Sequence, residues 1–95
     1  MLQVIAKSIA KDDKIEETKK ALEALVNPTR KEDGCIKYEL FQDIDHPEVF
    51  VFSEEWESKT KLEVHLKQPH LVNWAELSKT LLKEPMEVSL LEKLA

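Results

Sequence analysis

Apolar and polar positions change period several times along the chain, and each change marks an element. Residues Leu2 to Ala10 mix apolar and small side chains with no helical repeat, which predicts a first strand. Ile15, Thr18, Leu22, Leu25 and Val26 then recur at helical spacing, with Glu16, Glu17, Lys19, Lys20 and Glu23 on the other side. Asp12 or Asp13 is placed to cap this helix, Asn27-Pro28 to disturb it near its end, and Asp33-Gly34 to turn the chain. From Cys35 to Ile44 the pattern alternates, with Ile36, Tyr38 and Leu40 on one face and Lys37, Glu39 and Asp43 largely on the other. Asp45-His46-Pro47 is turn chemistry and Val49 to Trp56 reads as a strong strand, so the two runs form a hairpin. Ser58 caps a short helix whose inner face carries Leu62, His65 and Leu66, and Gln68-Pro69 breaks it. Leu71, Trp74, Leu77, Leu81 and Leu82 define a further helical stretch that Pro85 stops, and Met86 to Leu94 closes the chain as a strand.

The order is β-α-β-β-α-β with the second helix broken in two, the split βαβ pattern of the ferredoxin-like α+β fold. Such a fold has an antiparallel sheet with helices on one face. The strand from Val49 to Trp56 demands more, because Phe50, Phe52 and Trp56 lie on one of its faces while Val49 and Val51 lie on the other. Phe41 adds to the mismatch on the strand before it. Helices cover one side, and the simplest cover for the other is the same sheet of a second subunit, giving a two-fold homodimer. The alternative is a helix or the C-terminal tail folded across part of that face.

Composition narrows the functional classes. The 95 residues make a single domain, 1–95, and a chain of this size gains stability from a partner. The net charge is −5 and the 14 Lys and Arg residues form no basic stripe, which argues against nucleic acid as a partner. A single cysteine, Cys35, forms no internal disulfide and points to a reducing, cytoplasmic setting. The N-terminal residues do not read as a signal peptide. The most apolar run, Val49-Phe50-Val51-Phe52, is far short of the roughly 20 residues of a membrane span.

Gly34 is the only glycine, so a phosphate-cradling loop and a dinucleotide fingerprint are both excluded. Cys35 has no cysteine partner for a zinc ribbon. His65 is the most suggestive residue, since it sits between Leu62 and Leu66 on an apolar helix face and approaches the strand positions of Tyr38, Glu54 and Trp56. An imidazole with an ordinary pKa of about 6.5 takes or gives a proton at neutral pH. The plain alternative is a core histidine donating to a backbone carbonyl. A metal set of His65, His70 and Glu54 is geometrically conceivable, but nothing in the sequence fixes its geometry and no metal is expected. Trp56 and Trp74 fill the core even where they also wall a pocket. Glu54 and Glu55 point to opposite strand faces and do not form an acid/base pair.

The ordered series Gly34-Cys35-Ile36-Lys37-Tyr38-Glu39-Leu40, Asp45-His46-Pro47-Glu48-Val49-Phe50, Glu54-Glu55-Trp56-Glu57-Ser58, His65 and Pro69-His70 resembles the antibiotic biosynthesis monooxygenase family. Members of that family carry a G-C-x-x-Y stretch, a hairpin, an E-x-W and a histidine on the following helix. The resemblance spans Val4 to Leu94 and implies a ferredoxin-like dimer, a dimeric α/β barrel. Characterised members oxidise quinols or anthrone-like polycyclic phenols with O₂ and use no metal, flavin or haem. The implied activity is therefore a cofactor-free monooxygenase whose partners are a small aromatic or quinol-like substrate and O₂.

Triplet O₂ reacts slowly with closed-shell organics, but an electron-rich phenolate can pass it one electron. The protein has to deprotonate the substrate, hold it beside O₂ and exclude water. The resemblance then makes His65 the general base and Tyr38 the hydrogen-bond donor to the oxyanion. It makes Trp56 an aromatic wall, Phe50 and Phe52 a dry lining, and His70 and Trp74 the border of the pocket mouth, with Glu54 beside them. Haem-degrading relatives carry an asparagine on the first strand, a tryptophan near the position of His65 and an iron-binding histidine about three turns on. This chain has no asparagine from Met1 to Lys11, and Ala75 stands near the ligand position, so haem degradation is disfavoured. Two further readings stay open: isomerisation of a small phosphorylated diketone by proton transfer, and a non-catalytic small-molecule-binding stress-response dimer.

Overall fold

The computed structural model describes Met1 to Ala95. Its elements are β1 (Leu2–Ile9), α1 (Ile15–Arg30), β2 (Cys35–Gln42), β3 (Val49–Trp56), α2 (Lys59–Leu66), α3 (Pro69–Leu81) and β4 (Glu87–Glu92). Alternation in β3 organises the rest. Its residues Phe50, Phe52, Glu54 and Trp56 are buried, whereas Val49, Val51, Ser53 and Glu55 are half-buried. A strand with no fully exposed residue belongs inside a sheet, and β3 pairs antiparallel with β1 on one side and β2 on the other. With β4 antiparallel to the far side of β1, the sheet order is β2-β3-β1-β4, which is the ferredoxin-like α+β arrangement.

The helices cover one face. Val4, Ala6, Phe50, Phe52 and Trp56 from the sheet pack with Leu22, Leu25, Leu62, Trp74 and Leu81 from the helices in one continuous core. Each large side chain buried there stabilises the fold by about 1.5–3 kcal/mol, an upper value because the unfolded chain already hides some surface.

Several boundaries differ from the sequence expectation, each for a local reason. Neither Asp12 nor Asp13 caps α1. The N-cap is Lys14 without a side-chain cap, Thr18 Oγ1 donates to the Lys14 carbonyl at 2.7 Å, and Asp12 pairs with Lys83 at 2.9 Å. Pro28 sits inside α1, which runs on to Arg30, where Nε donates to the Tyr38 carbonyl at 3.1 Å and ties the helix end to β2. A β-bulge between Cys35 and Lys37 shifts the register of β2, so Ile36 is exposed and Tyr38 is the buried residue of that strand. The strand ends at Gln42 rather than Ile44. Leu66 and Leu77 are about half exposed instead of facing inward. The last helix ends at Leu81, before Pro85, because Leu82 takes extended backbone and bridges Ala10.

Within a single chain the second face of the sheet has no cover. Phe41 and Leu91 are about half exposed, and Leu94 of the C-terminal tail stands free, so neither a helix nor the tail crosses this face. No helix is long and apolar enough to cross a membrane.

The one glycine is placed where only glycine fits without strain. Gly34 has φ of +88°, and a Cβ built there would lie 2.5 Å from Lys61 Cγ. Its carbonyl accepts from Glu57 N–H at 2.9 Å, and the Glu32 carbonyl accepts from Cys35 N–H at 3.2 Å, so the turn joins the end of α1 to the sheet. Gly34→Ala is expected to lower stability by roughly 1–3 kcal/mol, read as a lower denaturation midpoint in urea. An unchanged midpoint would show that the turn is not under this constraint.

Candidate functional site

Between the helix-facing side of the sheet and α2 and α3 lies a cavity of about 340 Å³ in which 12 of 16 lining residues are hydrophobic. Its floor is Val4, Ala6, Tyr38, Phe52 and Glu54 on the sheet, and its roof is Leu62, His65, Leu71 and Trp74 on the helices. Leu66, Val88 and Leu90 also line it and remain about half exposed, which marks the open side. A largely apolar pocket with a few convergent polar groups is the usual form of a small-molecule site.

His65 reaches this cavity because helical spacing puts it one turn after Leu62 on the buried face of α2. The helix start is fixed by Ser58, whose hydroxyl accepts from Lys61 N–H at 3.2 Å. The ring is only 2% exposed, lies 4.5 Å from the Trp56 ring and meets Tyr38 edge-on at 5.6 Å. Nδ1 is 2.8 Å from Glu32 Oε2, and Nε2 of His70 is 2.8 Å from the same oxygen. Pro69, at the first position of α3, stops α2 and restarts the chain so that His70 approaches from a second helix. Nε2 of His65 has no partner within the protein and is the ring nitrogen left for a cavity occupant. Burial lowers the pKa of His65 below the ordinary value, opposed by Glu32 and reinforced by His70, which favours the neutral ring.

Glu54 is the other titratable group in the floor. It is 4% exposed, and Trp56 Nε1–H donates to its Oε1 at 2.9 Å. Burial pushes its pKa up to about 7, the Trp56 hydrogen bond pulls it down, and Glu32 raises it further. Tyr38 stacks on Phe52 at 4.4 Å, and burial, with Glu54 second, drives its hydroxyl well above the ordinary tyrosine range. It therefore stays a protonated donor at any physiological pH.

Of the residues that the sequence put forward, Tyr38, Phe52, Glu54, His65 and Trp74 meet at the cavity. Trp56 is fully buried behind the wall, where it holds Glu54 and packs on His65, and Phe50 lies in the core. His70 does not border the cavity mouth. It stands in a separate polar depression of about 310 Å³ with Lys31, Glu32, Asp33, Lys61 and Gln68. Lys61 is paired with Asp33 at its rim. Glu32 carries no periodic signal because it lies in a connection, and its one mark in the sequence is a place two residues before the single glycine.

The two histidines do converge with a carboxylate, but it is Glu32 and not Glu54. The three ligand-capable atoms lie within 4.8 Å of one another, so these are the residues that could take a metal ion. Around one cation, ligand atoms at about 2.1 Å from it stand roughly 3.0–3.4 Å apart. The 2.8 Å separations from Glu32 Oε2 are instead those of charge-assisted hydrogen bonds.

Comparison with known proteins gives this geometry a context. The chain is 34% identical over 91 residues to Rv0793 of Mycobacterium tuberculosis, which is provisionally named a monooxygenase, covering 96% of this chain and 89% of that one. The crystal structure of PA3566 from Pseudomonas aeruginosa superposes with a TM-score of 0.94 at 32% identity, over 99% of this chain and 94% of that one. A crystal structure described as an antibiotic biosynthesis monooxygenase gives a TM-score of 0.93 at 32% identity, over 100% of both chains. Residues 1–77 match the antibiotic biosynthesis monooxygenase family, and the chain belongs to it.

Proposed function

We propose that this protein is a cofactor-independent monooxygenase that oxidises a small quinol or related phenol with O₂ in the cytoplasm. The observation that carries the reading is a buried imidazole with one free ring nitrogen in a cavity whose lining is largely apolar. At about 340 Å³ the cavity is near the small end of ligand pockets, suited to a substrate of one or two rings with O₂ beside it. Family membership supports the class of reaction, and the cavity supports the substrate class.

In this mechanism His65 takes the substrate hydroxyl proton on Nε2. The Tyr38 hydroxyl donates to the resulting oxyanion, and Phe52, Leu62, Leu71 and Trp74 keep water away from the reactive pair. The phenolate passes one electron to O₂, the two radicals join in a carbon–oxygen bond, and the hydroperoxide loses water as His65 returns its proton. A hydroquinone C₆H₆O₂ and O₂ become a hydroxyquinone C₆H₄O₃ and H₂O, with all four electrons supplied by the substrate. No external reductant is required.

The assembly belongs to the same proposal. Ile5, Val49 and Val51 with Phe41 and Leu91 give the uncovered sheet face an apolar surface, and a second copy of the chain is the occupant that suits it. A second chemical reading rests on Glu54. With a pKa of about 7 in the same cavity as His65, it is a second proton carrier, which favours proton transfer on a small dione by an isomerase.

Three measurements test these readings. Purified protein given a panel of hydroquinones is expected to take up O₂ equally with and without chelator, and His65→Ala to reduce uptake by about 10²–10⁴-fold. Uptake unaffected by His65→Ala removes the base, whereas deuterium exchange into a dione without O₂ uptake favours the isomerase. The pH profile is expected to show activity falling as pH drops through the His65 pKa, with a midpoint under the ordinary histidine value of about 6.5, because protonated His65 has no lone pair. A midpoint above that value contradicts the assignment. Val51→Glu puts a charge on the open sheet face, and sedimentation should then find monomers or insoluble protein. A stable dimer would mean that this face is not the interface.

A further inference from the structure

The reaction proposed above releases no net proton: His65 takes one and returns it as water forms. The site must therefore hold a proton on His65 for part of each cycle and present the correct nitrogen at its start. Nothing in the cavity wall does either. Glu32 and His70, outside it, are placed to do both.

A carboxylate oxygen has no hydrogen to give, so each ring nitrogen 2.8 Å from Glu32 Oε2 carries the proton of its bond. For His65 that nitrogen is Nδ1, and a neutral ring protonated at Nδ1 has its lone pair on Nε2, the nitrogen with no protein partner. The second bond, from His70 Nε2–H, arrives from α3. The oxygen is thus gripped from two helices, and the carboxylate cannot rotate away without losing both bonds. The arrangement crosses the wall of the site. His65 lines the apolar cavity on one side, and His70 and Glu32 line the polar depression on the other.

We propose that Glu32 and His70 are positioning residues for His65: Glu32 fixes the Nδ1–H form of the ring and stabilises the imidazolium made during turnover, and His70 locks the Glu32 carboxylate in place. From the elements packed around it, His65 faces Tyr38 of β2, Glu54 of β3, Glu32 after α1 and His70 of α3. Among these, Glu32 is the group hydrogen-bonded to the ring. It raises the proton affinity of His65 while burial and His70 lower it. The negative charge is kept out of the apolar cavity yet remains one hydrogen bond from the base. The role rests on the base assignment under the proposed function, but the tautomer it requires exists without any substrate.

The test has two parts. In the free protein, long-range proton–nitrogen NMR of the histidine rings should find His65 protonated at Nδ1 and bare at Nε2. Glu32→Leu removes the acceptor and should shift the ring toward the Nε2–H form. Glu32→Gln keeps an acceptor oxygen without the charge, so the tautomer should persist while the NMR titration midpoint of His65 moves to lower pH. In turnover, Glu32→Gln should lower kcat by about tenfold or more with little change in KM, and His70→Leu should lower it less. A wild-type His65 protonated at Nε2 overturns the proposal, as does an unchanged titration midpoint in Glu32→Gln. Tight binding of zinc ion alone, with loss of both N–H signals, also overturns it and makes the cluster a metal site. If the tautomer and the Glu32→Gln titration shift are as stated and no quinol is oxidised, the monooxygenase reading fails while the hold of Glu32 on the Nδ1–H form of His65 stands.

Discussion

A single carboxylate oxygen accepts hydrogen bonds from imidazoles on two helices, and three segments of the chain meet at that contact. Glu32 leaves α1, His65 belongs to α2 and His70 to α3. A hydrogen bond to a charged group stabilises by about 1.5–3 kcal/mol, and a buried carboxylate left without partners costs more than that. The junction therefore constrains where α1 can end and how the broken helix pair sits on the sheet. Two features of the sequence make it possible. Gly34 allows the chain to turn back under Lys61 directly after Glu32, and Pro69 breaks the helix so that two histidines five residues apart approach one point from different directions.

The sheet imposes the second constraint, through the two-residue period of β3. Its even positions furnish Phe52 and Glu54 to the cavity and Phe50 and Trp56 to the core beneath, while its odd positions furnish the uncovered apolar face. Cavity and open face are two sides of the same strand, so any slip of register would exchange them. The pairings of Tyr38 with Glu54 and of Ala6 with Phe52 fix that register, and with it the floor of the site.

The strands, the split helix and the ferredoxin-like order were legible because each rests on local periodicity or on a breaker residue such as Pro69 or Gly34. His65 was legible for the same reason: a titratable group on an apolar helical face stands out. Failures occurred where geometry overrode local pattern. Ile36 obeys the alternation of β2 on paper, but a bulge beside it turns it outward. His70 follows a proline at a helix start and looked like a mouth residue, yet the direction of α3 turns it to the outer side of His65. Glu32 could not be found at all, since a contact between residues 33 positions apart, made from a connection, leaves no trace in spacing. Dimerisation is a different case. It is proposed from an apolar strand face, and a single chain displays the face without the partner.

The cavity contains two groups whose preferences run in opposite directions. His65 has a folded pKa below its unfolded value, so it contributes stability that is present above pH 6.5 or so and is lost as pH falls through the lower folded value. Glu54, raised from 4.5 to about 7, contributes stability that is present below 4.5 and is lost as pH rises through 7. No pH satisfies both, because acid favours the protonated Glu54 and base favours the neutral His65. A core designed for stability alone would replace both with apolar groups of similar volume. Trp56 moderates the conflict from behind, donating to Glu54 and packing on His65, so one buried indole holds both members of the pair in place. The cost to stability and the opposed protonation preferences thus have one origin, the burial of two titratable groups against a largely apolar lining.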